Sequence, residues 1–165
     1  MPFIGIITDK KNEIEIENLL KDKFKKENIK AQVIIINEKS IENVKNIKFN
    51  AILINGKNNV IQKANLINKV INNANYIVIN SDIESILQIM NNIESMVLSY
   101  GFNSKSTITA SSVSDEEIMV CVQREFQNIK NKRIELQEIN IDKMSKNEYI
   151  TLGIASICLL YGIKC

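Results

Sequence analysis

The first half of the chain alternates short apolar runs with amphipathic stretches, and this order limits the possible folds more than any other feature. The runs are rich in β-branched residues and cover Phe3–Ile7, Ala31–Ile36, Ala51–Ile54 and Tyr76–Ile79. Apolar residues at helical spacing over 12–28 and 60–71 predict amphipathic helices after the first and third runs. Because parallel strands are joined by crossovers, this order predicts a largely parallel sheet with helices on both faces.

A capping-box spacing marks the start of a further helix after the fourth run. Ser81 and Glu84 stand three residues apart, so the Ser81 hydroxyl can accept a hydrogen bond from the third amide of a helix while Glu84 reaches back. We expect this helix to extend to about Asn91. The stretch 38–48 between the second and third runs has only a weak pattern.

The second half of the chain has a different pattern. Strand-like runs occupy 96–99, 106–110, 118–123 and 133–138, and the last three suit antiparallel strands with one exposed face. Residues 149–161 then form a strongly apolar helix that stops at Gly162. No linker or repeat separates the halves, so we predict one domain over 1–165. Its predicted fold is α/β, three-layered and Rossmann-like, with an antiparallel extension in the second half.

Composition excludes several classes of function. The chain has no His, which removes Ser-His-Asp and Cys-His catalysis and imidazole metal ligands. The 21 Lys and Arg against 19 acidic residues give a net charge of +2, which argues against nucleic acid as a partner. An excess of Ile, Asn and Lys is typical of an AT-rich genome.

The cysteines and the first residues of the chain help to predict the cellular compartment of the protein. Cys121, Cys158 and Cys165 form no C-x-x-C pair, and the first two lie in apolar runs that predict buried thiols. The sequence shows no signal-peptide pattern and no apolar stretch of membrane-spanning length. We therefore expect a cytoplasmic protein that does not associate with a membrane.

Three segments together resemble the central, ATP-binding domain of the Mur ligase family, which includes the peptidoglycan amino-acid ligases, folylpolyglutamate synthase and cyanophycin synthetase. Tyr76–Asp82 resembles the family's strand ending in Asn-Ala-Asp. Met96–Val113 is similar to its strand ending in Phe-Gly and the strand that follows. Asn147–Ile163 resembles its late helix, which ends in Gly-Ile or Gly-Val. The resemblance implies an α/β scaffold of the ligase type.

The resemblance also implies a phosphate-binding loop after the first strand, and here the chain departs from the family. The family has a loop with two glycines followed by Lys-Thr, in which glycine amides wrap the phosphates, Lys neutralises them and Thr holds magnesium. By position, the two loop glycines fall on Thr8 and Lys11, the lysine on Asn12 and the magnesium ligand on Glu13. We therefore expect no ATP-dependent ligase activity, no catalytic residue, no metal and no cofactor.

Five polar residues follow predicted parallel strands and are the candidate ligand-binding residues. They are Thr8, Asp9, Lys57, Asn80 and Asp82. Because such sheets bind ligands at the carboxyl ends of their strands, these side chains should share one edge. A structural alternative stands beside each: Lys57 can belong to a plain turn, and Asp82 can complement the dipole of the helix that follows it.

Three hypotheses for function follow. The leading one is a non-catalytic, Mur-ligase-like module that works by protein association, as a homo-oligomer or as the partner of a complete ligase. It depends on the altered loop, the short chain and the apolar helix 149–161, which must be covered by the sheet or by another chain. The alternative is a domain that binds a small molecule other than ATP at the sheet edge. An enzyme would have to use Asp, Lys, Tyr or Cys without His.

Overall fold

In the computed structural model of the protein, eight strands form one central sheet. The structure describes residues 1–90 and 93–165, apart from the side chain of Val60. In spatial order the sheet consists of β2 (Gln32–Ile35), β1 (Phe3–Ile7), β3 (Phe49–Ile54), β4 (Ala74–Asn80), β5 (Met96–Tyr100), β6 (Ile108–Val113), β7 (Glu117–Val122) and β10 (Gln137–Asp142). A separate two-stranded ribbon consists of β8 (Phe126–Gln127) and β9 (Arg133–Ile134).

The strand directions confirm the predicted change of character between the two halves. Strands β2, β1, β3, β4 and β5 pair in parallel, and β6 joins β5 in parallel through a single residue pair, Tyr100 and Ile108. Strand β7 runs antiparallel to both β6 and β10. The sheet is therefore mixed and mostly parallel, with an antiparallel extension at one side.

Helices cover both faces of the sheet. The helices are α1 (Glu13–Lys26), α2 (Ile41–Val44), α3 (Ala64–Asn72), α4 (Glu84–Ile89) and α5 (Glu148–Tyr161). Buried side chains of α1 and α5 share one apolar core with the sheet, and those of α2, α3 and α4 share the core on the opposite face. The predicted three-layer, Rossmann-like α/β fold is confirmed.

Helix α5 is buried along nearly its whole length. All residues from Ile150 to Tyr161 are buried, and their core partners come from the sheet, from α1 and from the β8–β9 ribbon. The Tyr161 ring meets the Phe24 ring of α1 edge to face, with centroids 5.0 Å apart. The apolar helix is thus covered within its own chain, which removes one reason to expect a second chain on it.

The predicted capping box does not form. Helix α4 begins at Glu84 after Ile83, and no side chain caps it. The Ser81 hydroxyl instead donates to the Tyr100 carbonyl oxygen at 3.1 Å and lies 2.8 Å from the Ser106 hydroxyl. Partners on β5 and the following loop compete successfully for this side chain. The predicted end of the helix at about Asn91 lies outside the described residues.

Two further predictions from the sequence were wrong in detail. The strand predicted over 133–138 is divided between β9 and β10, and the longer strand is Gln137–Asp142 because it pairs along its length with β7. Cys158 is buried as predicted, but Cys121 is only half-buried, since it points to the face of β7 opposite to the buried Val120 and Val122. Among the described residues, no helix is long and apolar enough to cross a membrane.

Candidate functional site

The carboxyl ends of β1, β3 and β4 carry the five candidate residues to one edge of the sheet. Thr8 and Asp9 follow β1, Lys57 follows β3, and Asn80 ends β4 with Asp82 two residues later. Thr8 and Asn80 are buried, whereas Lys57 and Asp82 are exposed. The predicted placement at a shared edge is therefore observed, but the five side chains differ in their surroundings.

An open cleft of about 410 Å³ lies at this edge, between the ends of β1, β2 and β3 and the start of α1. We call it the edge cleft. Its charged lining consists of three acidic and three basic side chains, and asparagines complete it; the lining residues are Asp9, Lys10, Glu13, Asn37, Glu38, Lys39, Lys57, Asn58 and Asn59. The formal charge of the lining is therefore balanced.

Asp9 and Lys57 are held by no side-chain hydrogen bond or ion pair within the part of the chain that the structure describes. The Asp9 carboxylate lies against the Cα of Gly56, where an added Cβ would overlap with it. Two other lining residues are tethered: the Asn37 side chain donates to Glu13 Oε1 at 3.2 Å, and the Asn58 side chain donates to the Thr8 carbonyl at 2.8 Å. The cleft thus combines fixed walls with unpaired charges.

The two buried candidates form the floor of this edge of the sheet. The Asn80 side chain donates to the Asn55 carbonyl at 3.1 Å and accepts from the Asp82 amide at 3.1 Å, so it joins the ends of β3 and β4. The Thr8 hydroxyl is buried without a hydrogen-bond partner among the described residues. Asn80 therefore has a structural task, whereas Thr8 retains an unused polar group.

Asp82 is the centre of a hydrogen-bonded cluster, which we call the Asp82 clamp and which consists of Asp82, Phe102, Asn103 and Tyr149. The carboxylate accepts from the Phe102 amide at 2.7 Å, the Asn103 amide at 3.3 Å, the Asn103 side chain and the Tyr149 hydroxyl at 3.0 Å. The clamp ties the end of β4 to the loop after β5 and to the first turn of α5.

The clamp fixes the ionisation of Asp82. Burial alone would raise the pKa of this carboxyl, but hydrogen bonds from Asn103, Phe102 and Tyr149 outweigh burial and lower the pKa below its ordinary value. The Phe102 ring meets Tyr149 edge to face at 5.1 Å. An added Cβ on Gly101 would lie 2.7 to 2.9 Å from the Asp82 carboxylate, so any larger residue there would have to displace the carboxylate from its hydrogen bonds.

The edge brings some candidates together and separates others. Asp9 and Lys57 share the edge cleft, and Lys57 also borders a second depression of about 520 Å³ beside Asp82. Asp82 itself is engaged by the clamp. Glu38 and Lys39 were not among the predicted residues, although their position just after the predicted second strand could have indicated them.

The segment between β1 and α1 is a single 3-10 turn, Lys10–Asn12, followed by the start of α1. Glu13 and Glu15 occupy the first turn of α1, where the helix dipole favours negative charge. Within residues 1–90 and 93–165, no three cysteine or acidic side chains converge as a metal site would require. The arrangement offers scattered single charges for a polar ligand.

Comparison with known proteins identifies the fold. No protein-family model matches the chain, and no curated protein matches its sequence. Among solved structures, the chain is similar to UDP-N-acetylmuramate:L-alanyl-gamma-D-glutamyl-meso-diaminopimelate ligase from Neisseria meningitides. The TM-score is 0.59 at 8% sequence identity, over 99% of this chain and 66% of that one. The fold is therefore like that of a Mur ligase, and the chain spans just under two thirds of the ligase structure it matches.

Proposed function

We propose that this protein is a non-catalytic domain of Mur-ligase-like fold that binds a small zwitterionic molecule in the edge cleft. The observation that carries the proposal is the presence of unpaired side chains of both signs, Asp9 and Lys57, in a cleft at the carboxyl edge of a parallel sheet. This edge is where sheets of this class bind ligands. A ligand with both an amino and a carboxylate group would pair with both side chains.

The same cleft is poorly suited to ATP, which supports a degenerate phosphate loop. Residues 8–13 contain no glycine, so side chains occupy the space that backbone amides need around a phosphate. Asp9 and Glu13 would face the triphosphate with two carboxylates. Each carboxylate would repel the phosphate oxygens. The proposal therefore excludes ATP-driven ligation and includes no catalytic residue.

The structural neighbour suggests which zwitterions to examine first. Its name describes a ligase that acts on UDP-N-acetylmuramate and L-alanyl-gamma-D-glutamyl-meso-diaminopimelate. The second compound carries both amino groups and carboxylates, so it offers a partner to Asp9 and to Lys57. A cleft of about 410 Å³ is within the usual range for small-molecule sites. We propose peptides of this type as the ligand class.

Thermal unfolding with added compounds tests the proposal. We expect the peptide to stabilise the protein by about 2.7 kcal/mol at a hundredfold excess over its dissociation constant, and ATP to leave it unchanged. Lys57→Gln and Asp9→Asn should weaken binding at least tenfold. Lys132→Gln, on the distant β8–β9 turn, is the matched control. Stabilisation by ATP, or peptide binding that survives both substitutions, would refute the assignment.

A homodimer is the second candidate, and one specific observation favours it. The face of β6, β7 and β10 opposite α5 carries Met119 and Cys121, half-buried, beside exposed Ser112 and Asn140, and no helix of the described chain covers it. We propose a second copy of this chain as the occupant. Light scattering should show a dimer that Met119→Lys dissociates. A monomer at all concentrations would eliminate this candidate and leave the ligand proposal intact.

Two broader statements belong to the same proposal. The central sheet runs without interruption from β2 to β10, so we propose that residues 1–165 act as one domain. The three cysteines carry no disulfide, which is usual in a reducing compartment, and we propose a cytoplasmic location. Limited proteolysis and cell fractionation test these statements. Separable fragments or an exported protein would contradict them.

A further inference from the structure

The end of α5 brings two cysteines together. Gly162 has a left-handed conformation, with φ of 59°, and its amide donates to the Leu159 carbonyl at 3.1 Å. The next amide, of Ile163, donates to the Cys158 carbonyl at 3.0 Å. This helix-ending turn reverses the chain. As a result Cys165 folds back onto the helix, where its Sγ donates to the Ala155 carbonyl at 3.7 Å.

The reversal places Cys165 beside the helical turn that carries Cys158. The Cys165 Sγ lies 3.7 Å from the carbonyl oxygen of Ala155, one turn before Cys158 on the same helix, and both cysteines pack in the same apolar core. Cys158 is fully buried, whereas Cys165 is only partly buried and so remains accessible to a small reagent. A cysteine whose only role is to fill space in the core does not require a second cysteine beside it. Two thiols on neighbouring turns, one of them accessible, are an arrangement from which a disulfide can form.

We infer that Cys158 and Cys165 are a reversible redox modification site, at which a low-molecular-weight disulfide oxidises the pair to an intramolecular disulfide. The Cys165 thiolate attacks one sulfur of the reagent and releases one small thiol. The Cys158 sulfur then attacks the Cys165 sulfur of the mixed disulfide and releases the second small thiol. The protein loses two electrons and two protons, and the reagent gains them as two thiols.

The surroundings of the pair agree with this order of attack. The neighbouring Cys158 thiol lowers the pKa of the Cys165 thiol, and the positive charge of Lys23 on α1 acts in the same direction. The neighbouring Cys165 thiol, together with burial, raises the pKa of Cys158. Since the thiolate is the nucleophile, Cys165 is the residue that attacks first. Glu27, the residue after α1, opposes ionisation of Cys158.

Oxidation of the whole protein with glutathione disulfide tests the inference. We expect the number of free thiols, measured after denaturation, to fall from three to one. The intact mass should decrease by two hydrogen atoms, without a glutathione adduct. Trypsin cleaves after Lys164, so Cys165 should remain attached by a disulfide to the peptide that contains Cys158. Dithiothreitol should restore all three thiols.

Two variants separate the pair from the remaining cysteine. Cys121→Ser should oxidise as the native protein does, from two thiols to none. Cys165→Ser removes the less buried partner, so it should fold and keep Cys158 reduced. Three remaining thiols in the native protein, a persistent glutathione adduct on Cys165, or a disulfide that includes Cys121 would each overturn the inference. None of these results bears on ligand binding in the edge cleft.

Discussion

Two carboxylates lie at the same edge of the sheet in opposite surroundings. Asp82, after β4, accepts hydrogen bonds from two backbone amides, one amide side chain and one phenol. Asp9, after β1, has no side-chain partner among the described residues and faces the edge cleft. Position at the carboxyl edge is therefore not enough to define a ligand site. The carboxylate whose hydrogen-bonding capacity is unused is the one left for a ligand.

Each carboxylate is approached by a glycine, and these glycines give the strongest test of the comparison. Gly101→Ala should lower the free energy of unfolding by about 2 to 3 kcal/mol, because the new Cβ meets a carboxylate that four donors hold in place. Gly56→Ala should cost less, about 1 kcal/mol, because the unpaired Asp9 carboxylate can move aside and only the Asp9 backbone nitrogen, 3.1 Å from the new Cβ, remains in close contact. Urea denaturation measures both. Equal losses would show that Asp9 is as firmly held as Asp82.

Removal of the carboxylates should give a smaller difference. Asp82→Ala leaves the Phe102 and Asn103 amides and the Tyr149 hydroxyl without their acceptor, and we expect a loss of about 1 to 2 kcal/mol. Water reaches this exposed cluster and limits the loss. Asp9→Ala should change stability by no more than about 0.5 kcal/mol. A larger effect at Asp9 would reveal a structural role for it and weaken the case for the edge cleft as a ligand site.

The smallest expected effect is a dependence on pH. The pKa of Asp82 is lowered in the folded protein, so its contribution to stability is present above the unfolded value of about 3.9 and is lost as the pH falls through the folded value. When the pH is lowered from about 5 to about 2, the free energy of unfolding of the native protein should fall by up to about 1 kcal/mol more than that of Asp82→Ala. If the free energies of unfolding of the two proteins change with pH in the same way, the clamp does not lower the pKa of Asp82.

The parallel half of the fold could be predicted from the sequence, and the clamp could not. Each buried strand is a local run of β-branched residues, and the helices after the first and third strands have a local apolar period, so their own residues were enough to predict them. The short helix α2 (Ile41–Val44) lies in the weakly patterned stretch and was not predicted. The partners of Asp82 lie 20, 21 and 67 residues away, at Phe102, Asn103 and Tyr149. No pattern near Asp82 indicates them. Ser81 likewise forms hydrogen bonds with residues distant in sequence instead of the predicted capping box.

The antiparallel extension shows a second limit of sequence analysis. Apolar residues alternate with polar ones at Ile134 and Leu136 as well as at Ile139 and Ile141. Local alternation therefore supports a strand in either register. Pairing with β7 decides the matter, since Ile139 and Ile141 lie opposite Val120 and Ile118 and face the core shared with α5. Leu136 is left exposed between β9 and β10.

The burial of α5 has a consequence for synthesis of the protein. The core on the α1 side of the sheet depends on residues 148–161, which leave the ribosome after every strand has done so. Until then, the nascent sheet exposes an apolar face from β1 to β7 that α1 covers only in part. Such a face is prone to aggregation, and we expect a chaperone to bind it until α5 packs against the sheet.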